Sequence, residues 1–315
     1  MTPVWCAHPM QFNCNTLPPA FRNHLALIYC LLTICIGAAP STLSAQSNPD
    51  FKLHKKGRSF FHWGYNRAWY NKSDIHFKGQ GHDFVLSAVK AKDRPNPLSL
   101  VYIKPSTLTI PQFNCHFGYF ISDKYSLAIG WDHMKYVGED FQTVKMNGYV
   151  DPATVSDPEM VKNMNQLNSL YATDGIYQDV PVQMTPSNFV HIEHTDGLNY
   201  ASIELDRYEE LWQSKKHNKL GITAVTSLGS GLIIPRTDSH LFGSGENHYW
   251  NVAGWGASAK LGLQINLTKH LYLQTDFKCG YLQMNHVHTS NYLKVDKAKQ
   301  HIVFYENIWQ IGVRF

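Results

Sequence analysis

Beyond residue 45 the sequence has only two cysteines, Cys115 and Cys279, no apolar run long enough for a helix to cross a membrane, and no block of one charge sign. The first absence excludes a disulfide-framework protein, because four of the six cysteines (Cys6, Cys14, Cys30 and Cys35) fall in the first 45 residues. The second excludes an ordinary helical membrane protein. The third, with a formal net charge of +4 over 315 residues, leaves no basic stripe for nucleic acid. What is abundant is aromatic: 17 Tyr, 16 Phe and 8 Trp, in a chain 43% hydrophobic and 17% charged, which is too apolar for disorder.

The one long apolar run, LALIYCLLTICIGAA at 25–39, follows Arg22 and precedes the small-residue sequence LSA at 43–45. It reads as a secretory signal peptide cleaved after Ala45. The leader before Arg22 is long for such a segment, which leaves a start downstream of Met1 open. Neither Cys30 nor Cys35 follows the small residue that a lipoprotein signal needs, so no lipid anchor is expected.

The rest of the chain alternates with period two, the mark of extended strands. Eight stretches carry the pattern, near 59–70, 110–121, 125–137, 199–212, 219–234, 255–267, 271–284 and 300–315. In WGASAKLGLQINL (255–267), Trp255, Leu261, Leu263, Ile265 and Leu267 oppose Ser258, Lys260, Gln264 and Asn266. The stretch 219–234 is weaker, because Val225 falls out of phase. Links near 122–124, 213–218 and 268–270 are short, and those near 72–108, 138–198, 236–248 and 289–299 are longer.

A half-buried strand of a soluble sandwich would alternate too, but would have no reason to sort its connections this way. Brief periplasmic turns opposite long extracellular loops are the rhythm of a closed antiparallel transmembrane β-barrel. The count predicts an all-β fold of eight strands, or ten if DFVLSAVKA (83–91) and FVHIEH (189–194) also cross. The predicted organisation is a signal peptide and leader at 1–45, a periplasmic segment at 46–57 and a barrel at 58–315. Asp132, Glu204, Asp206, Lys260, Asp276, Lys278, Glu306 and Arg314 fall on the polar faces, so an interior salt-bridge network is expected. Trp63, Trp69, Trp255, Tyr281 and Phe315 are placed for interfacial girdles.

The chain ends in ENIWQIGVRF, with Trp309, Ile311, Val313 and Phe315 on one face. This C-terminal pattern resembles that of bacterial outer-membrane β-barrel proteins, and the strand count resembles the small OmpA/OmpX-like barrels. The resemblance implies that the last strand is read by the barrel-assembly machinery, that the barrel lies in outer-membrane lipid, and that its loops face outward toward an unspecified ligand. No cofactor or metal is expected.

One catalytic motif presents itself. HTSN, His288 to Asn291, resembles the H-x-S-N pattern of outer-membrane lipid A deacylases, which implies His288 as base and Ser290 as nucleophile, with Glu306 the nearest downstream acid. The strand phase sets His288 and Ser290 on the inward face, away from lipid, unless a bulge inverts it. A polar strand end entering a loop is the plainer reading. HIEHTDG (191–197) offers His191, Glu193, His194 and Asp196, but in a strand His191 and His194 point to opposite faces. SDPEMVKNMNQLNSLY (156–171) opens with a Ser-x-x-Glu capping box and predicts a short helix in the longest loop. The expected role is structural or surface-interacting, with an ester hydrolase and a narrow solute channel as alternatives.

Overall fold

The computed structural model describes residues 53–214, 220–245, 250–289 and 295–315, so the predicted signal peptide lies outside the described residues. In chain order the strands are β1 (Ser59–Tyr70), β2 (Ser73–Gly79), β3 (His82–Val89), β4 (Ala91–Lys92), β5 (Phe113–Phe120), β6 (Tyr125–Gly138) and β7 (Thr143–Val150). Helix α1 (Pro158–Tyr171) follows, and then β8 (Ile176–Gln183), β9 (Val190–Gln213), β10 (Gly221–Pro235), β11 (Asp238–Leu241), β12 (Gly254–Asn266), β13 (Leu271–His288) and β14 (Lys297–Arg314).

Eight long strands pair in the order β1-β5-β6-β9-β10-β12-β13-β14. All these pairings are antiparallel. β14 also pairs with β1, from Tyr70 opposite Phe304 to Phe60 opposite Arg314. Each of the eight therefore has a partner on both sides, which removes the exposed hydrogen-bonding edge of an open sheet. Each includes residues of one of the eight alternating stretches.

The two further stretches add no separate strand to this round. Residues 82–89 do form a strand, but β3 pairs with β2 and β7 rather than joining the eight. Residues 190–194 are simply the beginning of β9. The long connections extend the same sheet: the first residues of β14, Lys297–Gln300, pair with β2, and the ladder continues through β3 and β7 to β8. The turns at 121–124 and 267–270, and the end of β9 at Gln213 with the start of β10 at Gly221, lie at the end of the eight-strand set where β1 begins and β14 ends; the extension lies at the other end.

Along β12, Ser258, Lys260, Gln264 and Asn266 are buried, while Leu261, Leu263 and Ile265 are exposed. This is the reverse of a water-soluble strand. Toward the extension the buried face changes character on the same strands. β13 buries Gln274, Asp276 and Lys278, then Leu282, Met284 and Val287. β14, running back, buries Gln310 and Glu306 at one end and Phe304, Ile302 and Ala298 at the other. The apolar part joins Phe77, Phe84 and Leu86 of the extension sheet and Met160, Met164 and Leu167 of α1 in one cluster.

Two local predictions change. α1 is capped by Asp157, not Ser156, because Pro158 takes the first helical position and its missing N–H costs nothing there. The Asp157 carboxylate accepts from the amides of Glu159 (2.9 Å) and Met160 (3.2 Å). Val225, the residue out of phase, faces inward and joins Phe60, Phe120, Ala128 and Tyr208 in a small apolar cluster at the short-turn end. Glycine is required opposite: a Cβ at Gly118 would enter the Phe60 ring.

Candidate functional site

The buried face of the eight strands is a network of charges. β6 and β13 lie four places apart in the round of eight, on opposite sides of it. Lys278 of β13 nevertheless ion-pairs with Asp132 of β6, and it reaches Glu204 of β9 at 2.7 Å. Lys260 of β12 bonds the other Glu204 oxygen at 2.8 Å and approaches Asp206 at 3.6 Å. The His116 ring lies 3.3 Å from Glu204. Asn66 donates to Asn114 (2.7 Å), which in turn donates to Asp132.

A second part of the network lies nearer the short turns. Gln264 donates to Gln274 (2.8 Å), and Gln274 donates to Asp276 (2.9 Å). Arg314 donates to Gln264 and Asn266 and sits over the Tyr272 ring, 4.4 Å from its centroid. The N-terminal segment closes over it: His54 bonds Gln264 (2.9 Å), stacks on Tyr208 with ring centroids 4.6 Å apart, and is buried together with Leu53.

All eight charges predicted to face inward are buried to 3% exposure or less. They comprise five carboxylates and three fixed cations; seven are held by hydrogen bonds or ion pairs from other side chains of the interior, whereas neither oxygen of the buried Glu306 carboxyl has a hydrogen-bond partner. The participation of His54 was not legible, because it belongs to no alternating stretch.

Of the candidate catalytic residues, only His288 and Glu306 can be placed, and they lie apart. Ser290 lies outside the described residues. A bulge between Met284 and Val287 shifts the phase of β13, so Val287 and Thr289 are buried and His288 turns to the other face, against the inward placement expected. Glu306 remains on the buried face opposite Lys278, whereas His288 stands opposite Lys297. Nine residues of strand separate those two rungs, about 30 Å at the usual rise.

His191 and His194 do point to opposite faces. His194 is fully buried, bonds Thr237 at 2.9 Å, and has its pKa lowered to about 4 by burial. His191 is on the outer face, 2.8 Å from Asp140 and 3.5 Å from Glu193. Its pKa rises to about 9, through Glu193 first and against burial, with Asp140 adding to the shift. Burial alone would raise Glu193, but His191, Thr195 and Arg94 together bring it down to about 2. The group is a compact surface ion cluster above the charged interior. Among the described residues, no three His, Cys, Asp or Glu side chains converge in a way that would hold a metal ion.

Trp309, Ile311, Val313 and Phe315 lie on the exposed face, at 51%, 54%, 41% and 61% exposure. The Phe315 amide bonds the Ser59 carbonyl at 3.0 Å, so the last residue is tied to the first strand.

No protein-family model and no curated protein matches the chain. Among solved structures it is similar to the outer membrane protein OprG from Pseudomonas aeruginosa, at 12% identity and a TM-score of 0.37, over 84% of this chain and 99% of that one. It is also similar to Neisserial surface protein A, at 12% identity and a TM-score of 0.31, over 82% and 99% of the two chains. The attachment invasion locus protein Ail of Yersinia pestis aligns at 10% identity and a TM-score of 0.26, over 82% and 99%. OprG and Ail are outer membrane proteins.

Proposed function

We propose that the chain is an eight-stranded barrel of the bacterial outer membrane, assembled through its C-terminal strand, that carries a folded extension beyond the outer surface for structural or surface-interaction work. The observation that carries this reading is the reversal of polarity along single strands. On the half toward the short turns, the exposed face is apolar and the buried face charged. Ile129 and Ile203, cross-strand partners, are 68% and 65% exposed, and Leu261 and Phe277 are 58% and 49% exposed. A water-soluble protein does not present so continuous an apolar surface. Lipid accepts it, and the continuous pairing leaves no backbone group to be solvated there. On the half toward the extension, apolar side chains turn inward, as water on the outside demands.

The pair between Lys278 and Asp132 across the interior supports a filled barrel rather than an open solute path. The separation of His288 from Glu306 gives the ester-hydrolase alternative no support.

Fractionation and gel migration test the placement. The mature protein is expected in the outer-membrane fraction with heat-modifiable mobility, and recovery from the soluble periplasm without detergent would overturn the reading. Removal of Phe315 is expected to impair membrane insertion while leaving synthesis and export intact. Unchanged insertion would remove the assembly role from this residue. Planar bilayers containing the purified protein are expected to show no sustained conductance.

A further inference from the structure

The extension has a cleft of about 610 Å³ between the ends of β7 and β8 and the outer side of α1. Its apolar floor is a cross-strand pair, Tyr149 opposite Ile176, with 47% and 52% of their surfaces exposed. Polar groups stand around that floor. Asp151 and Asp174 are each oriented by their own backbone: one carboxylate oxygen accepts from the Ala153 or the Ile176 amide, both at 3.0 Å, which leaves the second oxygen for a ligand. Asn168 is fixed between the Val150 carbonyl (3.0 Å) and the Tyr177 hydroxyl (2.9 Å). Asn165 lies exposed on the same side of the helix.

We propose that this cleft binds a neutral or amino-bearing pyranose of a surface glycan. The inference rests on the outward placement of the extension and adds the class of ligand. An exposed aromatic face fits the C–H face of a sugar ring, and carboxylate and amide groups beside it match paired ring hydroxyls. The cleft volume lies within the range of small-ligand sites. No basic side chain lines it and two carboxylates do, which excludes phosphorylated and sulfated ligands on charge and favours a hydroxyl or ammonium substituent. An acyl chain is excluded by the polar rim, whose groups it would leave unpaired.

Saturation-transfer NMR on the full mature protein in detergent micelles, with glucose, galactose and glucosamine as separate probes, tests this. Transfer to at least one of the three is expected, and none to glucose 6-sulfate. Tyr149→Ala should weaken the binding about tenfold or more, and its folding is checked by heat-modifiable mobility. Asp174→Asn retains the acceptor for the Ile176 amide and removes only the charge, so it should lower the preference for glucosamine over glucose. Absence of transfer from all three probes, or transfer indifferent to both substitutions, overturns the proposal.

A second measurement separates this failure from failure of the surface reading. Thr173→Cys, in a chain with the remaining cysteines replaced by serine, should react with an impermeant maleimide on intact cells. Labelling without sugar binding leaves the barrel reading standing and sinks the glycan. Absence of labelling sinks both.

Discussion

The two halves of the buried interior obey opposite rules although the same strands build them. In the half toward the short turns, the interior holds Asp132, Glu204, Lys260, Lys278 and their partners, and the outside is apolar. In the half toward the extension, Met134, Tyr136, Tyr200, Leu282 and Phe304 fill the interior together with the loop sheet and α1. The difference teaches what drives each. In lipid, an apolar side chain gains nothing by moving from the outside to the inside, so the interior is free to be polar provided that every charge finds a partner. On the proposed placement, the outside of the extension half is water, and burial of apolar surface again decides the arrangement.

The sharpest way to break the comparison is to remove one cation from the charged half. Lys278→Ala leaves Asp132 and Glu204 buried without their shared partner and is expected to cost about 3–5 kcal/mol. Asp132→Asn in the same chain should recover much of that loss, because Glu204 keeps Lys260 at 2.8 Å. Urea unfolding in detergent checks both, and a single substitution that leaves the midpoint unchanged would show that the network carries no stability.

Next in size is a charge on the apolar outside. Ile311→Arg should cost about 2–4 kcal/mol where the strand meets the lipid midplane, measured as folding into lipid vesicles. The same change at exposed Leu170, on the far side of α1, should leave folding into vesicles unaltered. Equal effects at both positions would contradict the assignment of lipid to one half and water to the other.

A smaller effect is expected within the extension. Asp157→Ala removes the α1 cap and should lower local stability by about 1 kcal/mol, seen as faster amide exchange in the first turn with no change in the barrel strands. Equal acceleration in β12 and β13 would mean that the two halves unfold as one unit.

The mildest probe is pH. His191 has a folded pKa near 9 against 6.5 for the free side chain, so its contribution is complete below pH 6.5 and is lost as pH rises through 9. Glu193, near 2 against 4.5, contributes above pH 4.5 and loses its contribution as pH falls through 2. The cluster should therefore be most stabilising between pH 4.5 and 6.5. An NMR titration of His191, with and without Glu193→Gln, reads this directly, and a midpoint near 6.5 in both chains would dismiss the coupling.

Much of the eight-strand set was legible because a strand needs only alternation, and alternation needs no knowledge of the partner. The inward charges were legible for the same reason. The extension was not, because DFVLSAVKA has the composition of any strand and only its pairing with β2 and β7 separates it from a ninth crossing. The facing of His288 met the same limit: one bulge after Met284 turns it to the other face, and period-two counting alone does not place that bulge.

By itself, then, the sequence determined which residues are extended, which face of each strand is apolar, where connections are short, and that the last strand is built like the others. Those properties follow from local side-chain order. Only the tertiary structure decided that Lys278 would meet Asp132 across the interior, that His54 would close the short-turn end, and that the long connections would continue the sheet from β14 over an apolar interior. These depend on contacts between residues far apart in the chain, and a period-two pattern fixes the side a residue faces but not the partner it finds there.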